Sequence, residues 1–338
     1  MKRAATMGFA LLLAVFFLSC VPQASLKAGS ATAESLLRLL PQATRGVVAV
    51  DVHRAVGLAP VPKMLENPQA KARYDEMVQV AGIDPMKDVY LVVLGLLDTP
   101  NALAQEGAVI INLKYDQEKL LAAMKSKAPE VQSESYNGVT IYSNIDGAGA
   151  KPSSRAAFLD GSNILLGSEA GVKGVIDVFQ KKADGVAKNK DMGAILKSVD
   201  KRALAWGAFA LPPELVRKGV ESIPQLKVME GVTALTMSFD YRLANYVADV
   251  RTKGGTEEQN KNLATALNGF KAMGAMMAAQ EPAAGEFLNA VEVTSGADFV
   301  RLYISVSEEV MQKLGQAVQS RLGDYIKLKK DAAPEEKK

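Results

Sequence analysis

Short apolar runs bounded by glycine or aspartate constrain the fold of this chain more than any other feature. They are five to nine residues long and rich in Val, Ile, Leu and Tyr. In the first part of the chain they cover 46–52, 88–96, 107–115, 138–143, 156–160 and 163–168. Runs of this length and composition predict the strands of a β-sheet.

The second part of the chain repeats this order of elements. The run 202–211 takes the place of 46–52, and 231–241 and 246–252 follow it as 88–96 and 107–115 do. We therefore predict an α+β fold of two similar units, 34–200 and 201–326, each a mainly antiparallel sheet with helices packed on one face.

Helices are predicted between the strands by apolar spacing and by capping residues. Asp116 is placed to cap a helix over 116–127, and Ser168 to cap one over 168–182. In the second unit Thr256 and Gln259 have the spacing of a capping box, which predicts a helix from Thr256.

The first 19 residues have the layout of a secretory signal peptide. Lys2 and Arg3 precede an apolar run of 12 residues, Met7 to Leu18, which is too short to span a membrane as a helix. Ser19 and Cys20 close the run, and Cys20 is the only cysteine. Residues 20–33, rich in Ala, Ser and Gly, then predict a tether, and 327–338 a charged disordered tail.

Leu18, Ser19 and Cys20 resemble the end of a bacterial lipoprotein signal, although Phe17 stands where that family usually has leucine. The resemblance implies cleavage before Cys20 and its acylation with chains such as palmitate. Val21 after the cysteine resembles an outer-membrane address. The alternative is an ordinary cleaved signal with an incidental cysteine, for which Ala31 and Ala33 supply a distant site.

The body of the chain is similar to a loose set of uncharacterised exported bacterial proteins. The similarity is carried by "GVVAVDV" at 46–52 and by "FLDGSNILLGSEAGVKGVID" at 158–177. It extends over residues 45 to about 310 and implies no known activity.

Composition excludes several classes of function. Removing Lys2 and Arg3 lowers the formal net charge from +3 to +1, and aromatic residues make up only 6%, which disfavours nucleic-acid binding. A single histidine and a single cysteine disfavour zinc sites and thiol redox chemistry. We therefore expect no metal, no cofactor and no disulfide.

Asp51 and His53 are the one pair that could carry acid–base chemistry. Two residues apart on an extended chain, they would point to the same side, and a carboxylate can orient an imidazole. We favour the other interpretation, a strand end with His53 in solvent.

The helix over 263–280 offers one apolar face. Its members are Leu263, Leu267, Phe270, Met273 and Met277, with Met276 beside them. Thioethers adapt to apolar ligands or partner helices, so Leu267, Phe270, Met273, Met276 and Met277 form a possible apolar-ligand face. We favour packing in the core, because every amphipathic helix needs such a stripe.

Three functions remain open. We favour a non-enzymatic binding or scaffold module that is attached through a lipid on Cys20 to the periplasmic face of a bacterial membrane. Val21, as a resemblance to a sorting signal, indicates the outer membrane. The module's partners would be the membrane and an envelope protein or apolar ligand. A carrier of lipid or another apolar molecule is the first alternative. An enzyme that uses His53 and carboxylates is the second.

Overall fold

The computed structural model describes residues 32–58, 61–62, 65–99, 106–146, 154–222, 224–278 and 281–317. The predicted signal peptide, Cys20, nearly all of the tether and the charged tail lie outside these residues.

In the described residues, twelve strands form one continuous antiparallel sheet. The first half of the sheet is β1 Thr44–Asp51, β2 Val89–Leu97, β3 Gly107–Leu113, β4 Gln132–Tyr136, β5 Val139–Ser143, β6 Arg155–Phe158 and β7 Asn163–Gly167. The second half is β8 Ala205–Ala210, β9 Val232–Arg242, β10 Asn245–Gly254, β11 Val291–Ser295 and β12 Val300–Ser307.

The two halves join edge to edge at the centre of the sheet. The strand order is β11-β12-β10-β9-β8-β1-β2-β3-β7-β6-β5-β4, so β1 pairs with β8. Outward from this pair, β1, β2 and β3 on one side correspond to β8, β9 and β10 on the other. These are the strands that the repeated sequence order matches, and the α+β class is confirmed.

Helices connect the strands. They are α1 Ala33–Leu37, α2 Val52–Val56, α3 Pro68–Ala81, α4 Pro85–Asp88, α5 Gln117–Lys127, α6 Glu169–Phe179, α7 Lys190–Ser198, α8 Pro213–Ser222, α9 Glu257–Met277 and α10 Pro282–Asn289. Short 3-10 helices cover Val186–Lys188 and Pro224–Met229, and residues 308–317 are helical.

The predicted caps explain where three of these helices begin. The Asp116 side chain accepts hydrogen bonds from the backbone amides of Glu118 and Lys119, and Ser168 caps α6. Thr256 and Gln259 form the predicted capping box at the start of α9. Each side chain satisfies an amide that the first helical turn leaves free.

The largest core lies on one face of the first half of the sheet. We call this side of the sheet the Trp206 face, because Trp206 of β8 belongs to it together with Val47, Val93 and Ile110. Helices α1, α6 and α7 cover it with buried residues such as Leu37, Val175 and Ile195. Cross-strand partners share a face, so this core continues from strand to strand.

The opposite side, which we call the Phe209 face, is apolar along both halves. In the first half a smaller core forms there against α2, around Val50, Val92 and Ile111. In the second half α9 packs on this face, with Leu263, Val232 and Val300 as buried members. The main helices of the two halves therefore lie on opposite sides of one sheet.

No helix in the described part of the chain combines the length and apolarity needed to span a bilayer.

Candidate functional site

The second half of the sheet carries a polar surface on its Trp206 face. Register places Ser238 and Thr236 of β9 beside Asp249 and Arg251 of β10, and these beside Tyr303 and Arg301 of β12. These six residues, which we call the Asp249 surface, continue the plane that is apolar and helix-covered in the first half. The change from apolar to polar on one face marks this surface as different from the core.

Asp249 is the centre of the charges on this surface. Arg301 donates to it from Nη2 at 2.8 Å and from Nε at 3.1 Å, and Arg251 donates from Nη2 at 2.8 Å and from Nε at 2.9 Å. The guanidinium of Arg301 also lies 4.7 Å from the centre of the Tyr303 ring. Two planar cations therefore hold one carboxylate in a fixed orientation.

These contacts change the titration of Asp249. Burial acts to raise its pKa, but the hydrogen bonds and positive charges of Arg251 and Arg301 outweigh burial and lower the pKa to about 2. A carboxylate with this pKa stays ionised near neutral pH, so it is suited to holding cationic or hydrogen-bonding groups and not to transferring protons.

An open groove of about 370 Å³ runs beside Asp249. One wall is the end of α7 and the segment after it, with Ser198, Val199, Asp200 and Arg202, and the floor includes Thr236, Ser238, Asp249 and Arg251. Asp200 pairs with Arg202 at 3.1 Å on the rim, where the Arg202 side chain is 91% exposed. The groove therefore presents two carboxylates and two guanidinium groups, each held by an ion pair.

The extended geometry that would place Asp51 and His53 side by side, which was the disfavoured alternative, is not present. The strand ends at Asp51, which becomes the N-cap of α2 and accepts a hydrogen bond from the Arg54 amide at 2.9 Å. His53 lies on the helix, so the geometry of an extended chain does not apply. Burial raises the pKa of Asp51.

His53 is not in solvent either, contrary to the favoured interpretation. It is half-buried, with its ring 5.5 Å from that of Tyr90. Its Nδ1 is buried and has no hydrogen-bond partner among the described residues. The position has the features of a packed side chain rather than of a catalytic base.

The apolar stripe of α9 divides into two parts. Leu263 is buried and Leu267 packs beside it, as the core interpretation predicts. For Phe270 and Met273 that interpretation is wrong, because these residues are 48% and 53% exposed, and Met276 beside the stripe is 79% exposed. The side chain of Met277 lies outside the described ones. An apolar-ligand face at these residues stays a prediction.

Cys20, the predicted site of lipid attachment, lies outside the described residues, so its acylation stays a prediction. In the described part of the chain, no cluster of three His, Cys, Asp or Glu side chains is arranged to hold a metal ion.

The Asp249 surface was missed by sequence reasoning, although a signal for it exists. Polar residues alternate with apolar ones in "TMSFDY" at 236–241, in "ADVRT" at 248–252 and in "RLYIS" at 301–305. Period-two alternation predicts a strand with one polar face. The alternation does not reveal that the polar faces of β9, β10 and β12 lie next to one another in the sheet.

No family model and no curated protein matches the chain. Among solved structures it is similar to crystal form III of TP0453, with a TM-score of 0.47, 11% identity, and coverage of 84% of this chain and 97% of that one. Crystal form I of the same protein gives 0.46, 11%, 87% and 99%. Similarity at this level supports no statement about what the present chain does.

Proposed function

We propose that the chain is an exported lipoprotein, acylated at Cys20 and held at the periplasmic face of a bacterial outer membrane, where it acts as a non-enzymatic binding module. Its binding surface in this proposal is the Asp249 surface with the adjoining groove, and its partner is an envelope protein. The signal-like first 19 residues and the lone cysteine motivate the anchor.

The observation that carries the binding role is the open groove beside an ion-paired carboxylate. In the first half of the sheet the same face is closed by α1, α6 and α7, whereas Arg251 and Ser305 in the second half are exposed. Side chains that are already oriented lose little entropy when a partner binds. Arginines in fixed positions also recognise carboxylates and backbone carbonyls with defined geometry.

The same residues argue against catalysis as the function of this groove. Arg251 and Arg301 lower the pKa of Asp249 to about 2, and His53 is not part of the groove. Enzymes place acids and bases with pKa values near the working pH where bonds are broken. The carrier alternative would need Phe270, Met273 and Met276 to line an enclosed cavity, and their exposure does not favour it.

Site-specific photocrosslinking in living cells tests the binding role. A photoreactive amino acid replaces Ser238 in the groove or, as a control, Thr265, which is exposed on α9. We expect a discrete adduct from position 238 and none from position 265. The adduct should weaken in an Arg202→Glu background, because that change reverses a charge on the rim at a side chain with little structural role.

Either of two results would contradict the binding role. One is an equal yield of adducts from positions 238 and 265, which would indicate collisions without a specific surface. The other is an adduct from position 238 whose yield does not respond to Arg202→Glu. The amount of folded protein in each strain is measured by immunoblot and protease resistance.

A further inference from the structure

The turn between β9 and β10 is unusual in its residues. Arg242 pairs with Asn245, so Leu243 and Ala244 form a two-residue hairpin loop. Both have positive φ, 51° and 59°. Such loops strongly favour asparagine and glycine, since a side chain at positive φ crowds the backbone. The Leu243 side chain is also 96% exposed.

The same chain contains the ordinary form of this turn. Between β4 and β5, Asn137 and Gly138 occupy the two loop positions with φ of 50° and 81°. Leucine and alanine at 243 and 244 therefore strain the backbone where asparagine and glycine would not. The exposure of one leucine alone would need no explanation, but here the leucine stands at a strained backbone position, and we assign the strain to a contact outside the protein.

A second exposed apolar element extends to the same end of the sheet. Helix α9 starts near the loop between β11 and β12, where Asn260 bonds to the Ala297 carbonyl. Further along, Lys271 reaches the Val291 carbonyl at 2.5 Å, and Val291 lies at the other end of β11. The last turns of α9, with Met276 79% exposed, therefore continue toward the end of the sheet that carries Leu243. We call this the Leu243 end.

The start of the described chain also lies at the Leu243 end. Glu34 pairs with Lys201 at 3.1 Å, just before β8. The first residue of β8, Ala205, pairs with Phe239 near the end of β9. From Thr32, twelve residues back along the chain reach Cys20, a distance of up to about 40 Å when extended. A lipid on Cys20 would thus tether the molecule by this end.

We propose that the Leu243 end faces the bilayer that holds the anchor, with Leu243 inserted among the lipids and the Met276 end of α9 lying against them. The occupant of this apolar surface is the phospholipid bilayer itself. The proposal rests on the anchor in the proposed function, and it goes beyond that function by giving the orientation and a second, non-covalent contact.

Charge at this end indicates the kind of lipid. Arg242 is paired with Asp240 at 2.6 Å, and Arg202 with Asp200. Because these two cations already have carboxylate partners, they add no net positive charge that would attract anionic lipids. The contact is apolar, so zwitterionic phosphatidylcholine suffices and added salt has little effect on it.

Depth-dependent quenching tests the orientation in the acylated full chain. The sulfur of an acylated Cys20 is a thioether, so a thiol-reactive dye labels only an introduced cysteine. Three variants are labelled: Leu243→Cys, Met276→Cys and, as a control at the opposite end of the sheet, Ala297→Cys. Each is reconstituted into phosphatidylcholine vesicles with plain or brominated acyl chains.

We expect brominated lipid to quench roughly half or more of the emission from positions 243 and 276, and to leave position 297 unchanged. Equal quenching at 297, or none at 243, overturns the proposal. A dye at 243 that is shielded in plain vesicles but not quenched by brominated lipid also overturns it, because the turn is then buried against protein.

The labelling step separates failure of this proposal from failure of the anchor. Two dyes per chain would mean that Cys20 is free, and one dye on a chain whose intact mass shows no acyl chains would mean that Cys20 was removed with the signal; in either case the proposed anchor is wrong. The same quenching test in a Cys20→Ser background then decides the contact of Leu243 by itself, with quenching at 243 supporting it and its absence overturning it.

Discussion

Arg301 of β12 donates hydrogen bonds to both carboxylate oxygens of Asp249 on β10, at 2.8 and 3.1 Å. This ion pair joins neighbouring strands on the polar face of the second half of the sheet. Arg251 forms a second ion pair with the same carboxylate. Because the Asp249 side chain is only 18% exposed, the ion pair is screened less than a pair on an open surface.

The stability that Asp249 contributes should therefore depend on pH. Its pKa is lowered from 3.8 to about 2 in the folded chain, so the contribution is complete above about pH 4 and is lost as pH falls through 2. Allowing for the partly exposed arginines, Asp249→Asn should lower the free energy of unfolding by about 1–2 kcal/mol at pH 7.

Urea denaturation of the wild type and Asp249→Asn at pH 7 and at the lowest pH where both remain folded measures this difference. The difference between the urea midpoints of the wild type and Asp249→Asn should become smaller as pH approaches 2. Asp116→Asn serves as a matched control, because Asp116 is an exposed N-cap and asparagine caps equally well. A gap that stays constant with pH would contradict the linkage.

Close packing of α6 on the sheet gives a second prediction. A Cβ on Gly171 would lie 2.0 Å from the Gly107 carbonyl oxygen on β3, a distance that only movement of the backbone could relieve. Gly171→Ala should therefore cost about 3 kcal/mol of stability. Gly193→Ala on α7 is the control, because a Cβ there would meet nothing within 4 Å. This change should raise the free energy of unfolding by about 0.5–1 kcal/mol, since alanine favours the helix more than glycine does.

Thermal unfolding of the two glycine variants, followed by circular dichroism, checks the contrast. Opposite shifts in melting temperature are expected. Equal shifts for Gly171→Ala and Gly193→Ala would show that α6 does not press on β3 as described.

The turn between β9 and β10 gives a prediction on stability that is separate from its contact with lipid. Replacing Leu243 by Asn and Ala244 by Gly should raise the free energy of unfolding by about 1–2 kcal/mol, because both positions then accept positive φ without crowding. The converse change, Gly138→Ala, should lower it by about 1 kcal/mol.

Gly138 is a clean comparison because a Cβ there would meet nothing within 4 Å, so only the backbone conformation is affected. Chemical denaturation of both variants tests the idea. A Leu243→Asn, Ala244→Gly chain that is less stable than the wild type would remove the argument that the natural turn is strained.

Much of the fold is predictable from local sequence because its determinants are local. The strands from 46–52 to 163–168 and the caps at Asp116, Ser168 and Thr256 follow from short patterns of apolar and capping residues. Strand β4 escaped prediction, since "QSESY" is polar and mostly exposed. It is a strand only because β5 pairs with it.

The joining of the halves and the site depend on partners far apart in sequence. Pairing of Val48 with Gly207 joins the two halves into one sheet. The sequence around either residue does not specify this pairing. Asp249 and Arg301 are likewise 52 residues apart. For His53 the expectation failed at a boundary, because the strand ended at Asp51 and the chain turned into a helix.

The measurement that tests the central claim most directly is the intact mass of the native protein extracted from membranes, beside a Cys20→Ala variant. The account predicts a chain that starts at Cys20 and carries the mass of two or three acyl chains, with that increment lost in the variant. An unmodified chain that starts elsewhere would contradict the anchor and would leave the binding module unattached to the membrane.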